Sequence, residues 1–126
     1  FYQAFTPINK DYKKSVSAWQ IKTVGDLAEP NDHEDAEYDQ QVLTEMFKDH
    51  DSVKHLFTNH LASCPLLLDY ARRLEIAYAH VCAGHQQFIA GALIDSYHTV
   101  WFEFHEALIR LSGRDRATEA AAGRAE

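Results

Sequence analysis

Residues 86–112 read QQFIAGALIDSYHTVWFEFHEALIRLS. Set at intervals of about 100°, Asp95, Thr99, Glu103, Glu106 and Arg110 fall in one narrow polar arc. Ile89, Leu93, Tyr97, Val100, Trp101, Phe104, Leu108 and Leu111 fill the rest of the circumference. A helix wetted along one strip only is packed on its other sides. The spacing therefore predicts a central helix over roughly 86–112, ended by Gly113.

Upstream, Pro65 opens a helix whose stripe is Leu67, Tyr70, Leu74, Ala77 and Val81, and Gly84 stands where a left-handed residue ends it. Asp35 is placed to cap a longer helix carrying Tyr38, Val42, Met46, Val53, Phe57 and Leu61, with a break expected at Asp49-His50-Asp51. Thr6-Pro7 reads as a cap followed by proline in the first turn. Ile8, Tyr12, Val16 and Trp19 then mark a first helix over roughly 7–20, with 1–5 as the end of a linker helix. Between the first two helices, Gly25, Pro30, Asn31 and the acids around them predict a long acidic loop over 21–34. The alanine-rich 113–126 reads as a weakly ordered tail. No strand-type alternation of useful length occurs. The expected fold is all-α, a single domain over 1–126 built as a bundle of four main helices.

Composition narrows the function classes. The 126 residues are 46% hydrophobic and 25% charged, enough for one ordinary core. A net charge of −7 repels phosphates and anionic lipid, so this chain alone is not expected to bind duplex DNA or a membrane surface. Its two cysteines, Cys64 and Cys82, have no C-x-x-C spacing and suit a reducing cytoplasm. Apolar runs are too short to span a bilayer. Position 1 is Phe rather than Met, which predicts a piece of a longer polypeptide.

Eight histidines raise the question of a metal. His50, His55 and His60 are five apart, turning about 140° from one to the next, so they share no helix face. His80 and His85 straddle Gly84. His98 and His105 share a face but stand about 10.5 Å apart along it. No H-E-x-x-H or E-x-x-H pair occurs, so neither a resident metal nor another cofactor is expected. The best metal-type pair, Asp51 with His55, resembles the Asp and His ligands of FadR-like helical ligand-binding domains. His98 falls near that family's last ligand, but Leu74 and Glu75 stand where a further His would be. That resemblance implies an alternative reading, a metal-dependent carboxylate-binding domain using Asp51, His55 and His98.

The acidic stretch Asn31-Asp32-His33-Glu34-Asp35 lacks the glycine and final glutamate of a calcium loop. Neither Ser96 nor Cys64 sits in a nucleophile motif, so an enzyme, as a small helical catalyst, is the third reading. Near the central helix, Tyr97, His98, Trp101 and His105, with Trp19 as a further wall, could line an aromatic effector pocket. Rings supply an apolar floor, and imidazoles can donate, accept and charge near neutral pH. Packing of the same side chains into the core is the plainer outcome.

Four stretches look familiar as a set: Phe1-Tyr2-x-x-Phe5-x-Pro7-x-Asn9, Trp19-Gln20, Asn31-Asp32-His33, and the run from Ile94 to Glu106. Together they resemble the C-terminal helical segment of bacterial MarR-like winged-helix transcription regulators. The resemblance implies a DNA-binding module upstream of Phe1 and a role for this domain in sensing a small-molecule effector or forming a homodimer. It assigns no ligand residue.

Overall fold

A computed structural model describes residues 2–60 and 65–111. Phe1, Leu61, Cys64, and the helix end and tail expected from Ser112 onward lie outside the described residues. The chain is mostly helical, as its periodicity predicts. Its elements run α1 (Tyr2–Gln20), β1 (Ile21–Val24), β2 (Leu27–Pro30), α2 (Ala36–His60), α3 (Leu66–Cys82), α4 (Gln87–Ala90) and α5 (Tyr97–Leu111).

Helix α1 begins before Thr6-Pro7, correcting the expected start. Tyr2, Phe5, Asn9, Tyr12, Val16 and Trp19 form one buried stripe, and Phe5 packs on the rings of Trp101, Phe104 and His105. That burial outweighs the hydrogen bond Pro7 removes, since Gln3, whose carbonyl loses its partner, is exposed to water. Thr6 does not cap; its hydroxyl donates to the Tyr2 carbonyl at 3.0 Å.

Most of the expected acidic loop is a hairpin. β1 and β2 pair antiparallel with Ile21 opposite Pro30 and Val24 opposite Leu27. Gly25 opens the two-residue turn at φ 63°, and Asp26 has no positive φ, the pattern of a type II′ turn. Asp35 caps α2 as expected, accepting the Tyr38 amide at 3.0 Å. Helix α2 then runs unbroken through Asp49-His50-Asp51. Helix α3 ends as its glycine predicts. Gly84 sits at φ 89°, its amide bonds the Val81 carbonyl, and the His85 amide reaches back to His80, each at 3.0 Å.

The expected central helix is two helices. Gly91 ends α4, where a Cβ would lie 2.5 Å from the Gln87 carbonyl oxygen. Ser96 then restarts the chain. Its Oγ donates to the Gly91 carbonyl at 2.8 Å and accepts the Thr99 amide at 3.3 Å. Leu93, expected on the apolar face, is 99% exposed in the connection. Helix α5 remains the most enclosed helix, with Val100 and Phe104 fully buried against α1, α2 and α3. Its polar strip is clamped from α3, where Arg73 bridges Glu103 at 2.8 Å and Asp95 at 3.4 Å. Ser96→Ala is expected to cost about 1–2 kcal/mol by removing the α5 cap, read as a lower urea midpoint at unchanged slope.

Candidate functional site

Asp49 and His50 are neighbours in the middle of α2, about 100° apart around its axis, and both are buried. Each finds its partner on a different helix. His50 faces α3 and α5. Its Nδ1 lies 2.8 Å from the Tyr97 hydroxyl, its Nε2 3.0 Å from Glu75 Oε1, and its ring stacks on Tyr78 at 3.9 Å. Glu75 also holds Lys54 at 3.3 Å.

Protons in this chain are fixed by chemistry. A carboxylate only accepts, so His50 Nε2 carries the hydrogen given to Glu75, and Nδ1 accepts the Tyr97 O–H. Burial lowers the His50 pKa despite the neighbouring Glu75 carboxylate, which keeps the imidazole neutral. Burial also pushes Glu75 up, but the hydrogen bond from His50 and the hydrogen bond and charge of Lys54 outweigh it and leave the carboxyl lowered. Burial holds the Tyr97 hydroxyl well above its ordinary value, and Tyr78 is pushed up to about 12, by burial first and then by Cys82. Both tyrosines stay protonated. Tyr97–His50–Glu75–Lys54 is therefore a satisfied hydrogen-bonded relay from the core to the surface, not an activated nucleophile.

The relay reaches an open groove between α2 and α3 of about 400 Å³. Phe57, Leu68, Ala71 and Leu74 form an apolar lining, with Lys54 and Arg72 among the polar residues beside it. That volume suits a small ligand. On the other side of α2, Asp49 accepts the Ser15 hydroxyl at 2.6 Å beside a second groove, between α1 and α2, of about 580 Å³. Burial pushes the Asp49 carboxyl up to about 6, with Asp11 and Glu45 adding to the rise and the Ser15 bond opposing it.

Of the five residues expected to line an aromatic effector pocket, Tyr97, His98 and Trp101 meet around Tyr12, while Trp19 and His105 pack elsewhere. Trp101 is buried, stacked on Tyr12 at 4.2 Å, and donates its indole N–H to Asn9 at 2.9 Å. His105 is buried against the rings of Tyr2 and Phe5. Trp19 covers His33 at 4.4 Å. His98 is partly buried near Tyr12, and its Nδ1 has no hydrogen-bond partner among the described residues. Tyr97 lines a void of about 20 Å³, room for about one water. None of the five lines either open groove. Among the described residues, aromatic side chains on α1 and α5 meet each other, and Tyr97 takes part in the relay.

Among the described residues no three His, Cys, Asp or Glu side chains form a group able to hold a metal, so Asp51, His55 and His98 make no such site. The motif Asn31-Asp32-His33 is a latch. The Asn31 amide donates to the Trp19 carbonyl at 2.9 Å and to Asp39 at 2.8 Å, while His33 Nδ1 meets Asp39 at 2.9 Å. His33 holds φ 61° to do so, closing the hairpin onto the start of α2.

Of the relay, sequence singles out Tyr97 alone, as a pocket wall, and leaves His50, Glu75 and Lys54 without a ligand-binding role. The signal was there in Asp49-His50, two polar residues where the α2 stripe is expected to stay apolar. No family model, no curated protein and no solved structure matches this chain.

Proposed function

We propose that this chain is a ligand-sensing helical domain that takes a small amphipathic carboxylate between α2 and α3, of the kind bacterial transcription regulators carry beside a DNA-binding module. The observation that carries the reading is an apolar groove whose wall ends a buried relay to α5. Phe57, Leu68, Ala71 and Leu74 suit an alkyl or aromatic body, and Lys54 and Arg72 suit its carboxylate.

Both cations are available at small cost. Lys54 is 62% exposed where it meets Glu75, and Arg72 is 70% exposed where it meets Asp69 at 2.9 Å. Surface pairs of this kind are worth about 0–1 kcal/mol. A carboxylate that takes Lys54 leaves Glu75 to His50 alone and so alters the hydrogen bonding behind Tyr97. Occupancy then biases how α5 packs, provided the ligand prefers one arrangement over the other. The net charge of −7 slows the approach of an anion, so the selectivity is local to the two cations.

Calorimetry with phenylacetate, benzoate and octanoate tests this. At least one is expected to bind, with affinity falling about tenfold or more in Leu68→Glu, which puts a negative charge into the groove at an exposed position. No binding by the panel, or binding that Leu68→Glu and Lys54→Ala leave unchanged, overturns the proposal.

Self-association belongs to the same reading. Val24 and Leu27 at the hairpin tip and Leu93 before α5 are exposed apolar side chains that a second copy would cover. Sedimentation over a concentration series is expected to show a dimer, and a concentration-independent monomer at micromolar protein contradicts it.

A further inference from the structure

Five residues apart on a continuous helix, two side chains point about 140° away from each other. His80 and His85 do not, because the chain turns between them. With Gly84 at φ 89° and the His85 amide bonded to the His80 carbonyl, the two imidazoles meet across the end of α3, Nδ1 to Nδ1 at 3.0 Å. Phe88, at the start of α4, stacks on the His80 ring at 3.9 Å and 12° and fixes its plane. His85 is exposed.

Two facing ring nitrogens at this distance share one proton, since one must donate and the other accept. Displacing that proton leaves two lone pairs within reach of one ion. Metal–imidazole bonds are about 2.0–2.1 Å, so a separation of 3.0 Å corresponds to an angle of roughly 90–100° at the metal. That is the cis angle of tetragonal or octahedral coordination. A tetrahedral ion would need the nitrogens further apart. The rings now face each other head on, with centroids 5.3 Å apart, so binding requires the exposed His85 ring to tilt while Phe88 keeps His80 in place.

We propose that His80 and His85 form a two-histidine site for a divalent transition-metal ion at the corner between α3 and α4, with copper(II) the preferred ion. Imidazole donors in cis positions suit copper(II) and nickel(II), and affinity at nitrogen sites peaks at copper(II). No third His, Cys, Asp or Glu joins the pair among the described residues, so water fills the remaining positions. The ion takes the place of the shared proton; the ring that carried it at Nδ1 gains one at its own Nε2 through solvent, so both histidines bind as neutral imidazoles, no net proton is released and no electron moves. Bridging the two residues ties the last turn of α3 to the chain entering α4.

Copper(II) chloride titrated into the full chain, followed by calorimetry and electron paramagnetic resonance, tests the site. The expected result is one ion per chain with two equatorial imidazole nitrogens, and a thermal midpoint that rises with copper concentration. His85→Asn, at an exposed position, is expected to weaken binding about tenfold or more and to leave at most one imidazole on the ion. His80→Asn should do the same, and Cys82→Ser should leave affinity within about twofold, since the exposed thiol is not a ligand. Absence of one-to-one binding in the wild type overturns the proposal. So does binding with the same affinity and the same nitrogen count in His85→Asn.

Discussion

His50→Ala is expected to lower the unfolding free energy by about 3–4 kcal/mol. The ring is 3% exposed, so its removal opens a cavity and ends the stacking on Tyr78. The larger part comes from what is left behind. Tyr97 is buried, and its hydroxyl loses the one acceptor found for it among the described residues. An orphaned hydroxyl in a dry site costs about 1–3 kcal/mol by itself. Glu75, at the surface end, keeps Lys54 and water. Tyr97→Phe removes the hydroxyl from the other side and is expected to cost less, about 1–2 kcal/mol. Because the two substitutions break one bond, their costs should not add. Chemical denaturation of the two single variants and the double variant checks this through the coupling energy.

Asp49→Asn is expected to raise stability at pH 8 by roughly 2–3 kcal/mol. The carboxyl titrates near 6 in the fold, against 3.8 unfolded, so the folded state binds its proton more tightly. Its contribution to stability is complete below about 3.8 and is lost as pH rises through about 6. Above that, the native chain keeps a carboxylate in a buried site. Solvent entering the α1–α2 groove reduces the penalty, so the figure is an upper range. Asparagine keeps an oxygen for the Ser15 hydroxyl and carries no charge. His50 titrates in the opposite sense. Burial lowers its pKa below the ordinary 6.5, so its contribution is present above 6.5 and is lost as pH falls below it. In the wild type the two trends oppose each other in mildly acidic solution. In Asp49→Asn only the fall due to His50 remains, and urea midpoints measured from pH 4 to 8 separate them.

What could be read from sequence is what local chemistry decides. Asp35 caps α2 because a short carboxylate reaches the amide three residues on, and Gly84 ends α3 because it takes a positive φ without strain. Pro7 misled for the same reason. Its signal is local, whereas the burial of Tyr2 and Phe5 that overrides it comes from α5. The hairpin was illegible because all but one of its strand residues are exposed, so no alternation marks a buried face, and only Gly25-Asp26 hints at the turn. The break between α4 and α5 was masked by Leu93, which keeps helical spacing yet lies in solvent. The relay was hidden by distance. His50 meets Glu75 25 residues away and Tyr97 47 residues away, and no spacing rule spans such intervals. From sequence, Asp49-His50 predicts a helix break. In the fold the same pair is where α2 is tied to three other helices.

Amide and side-chain shift mapping by NMR, with a saturating carboxylate found in the calorimetric panel, tests the sensing reading most directly. The largest shifts are predicted at Lys54, Leu68, Ala71 and Glu75, continuing inward to the His50 ring nitrogens and the Tyr97 hydroxyl. Shifts confined to the α1–α2 groove around Ser15 and Lys14, or shifts at α3 that stop short of His50, would contradict it.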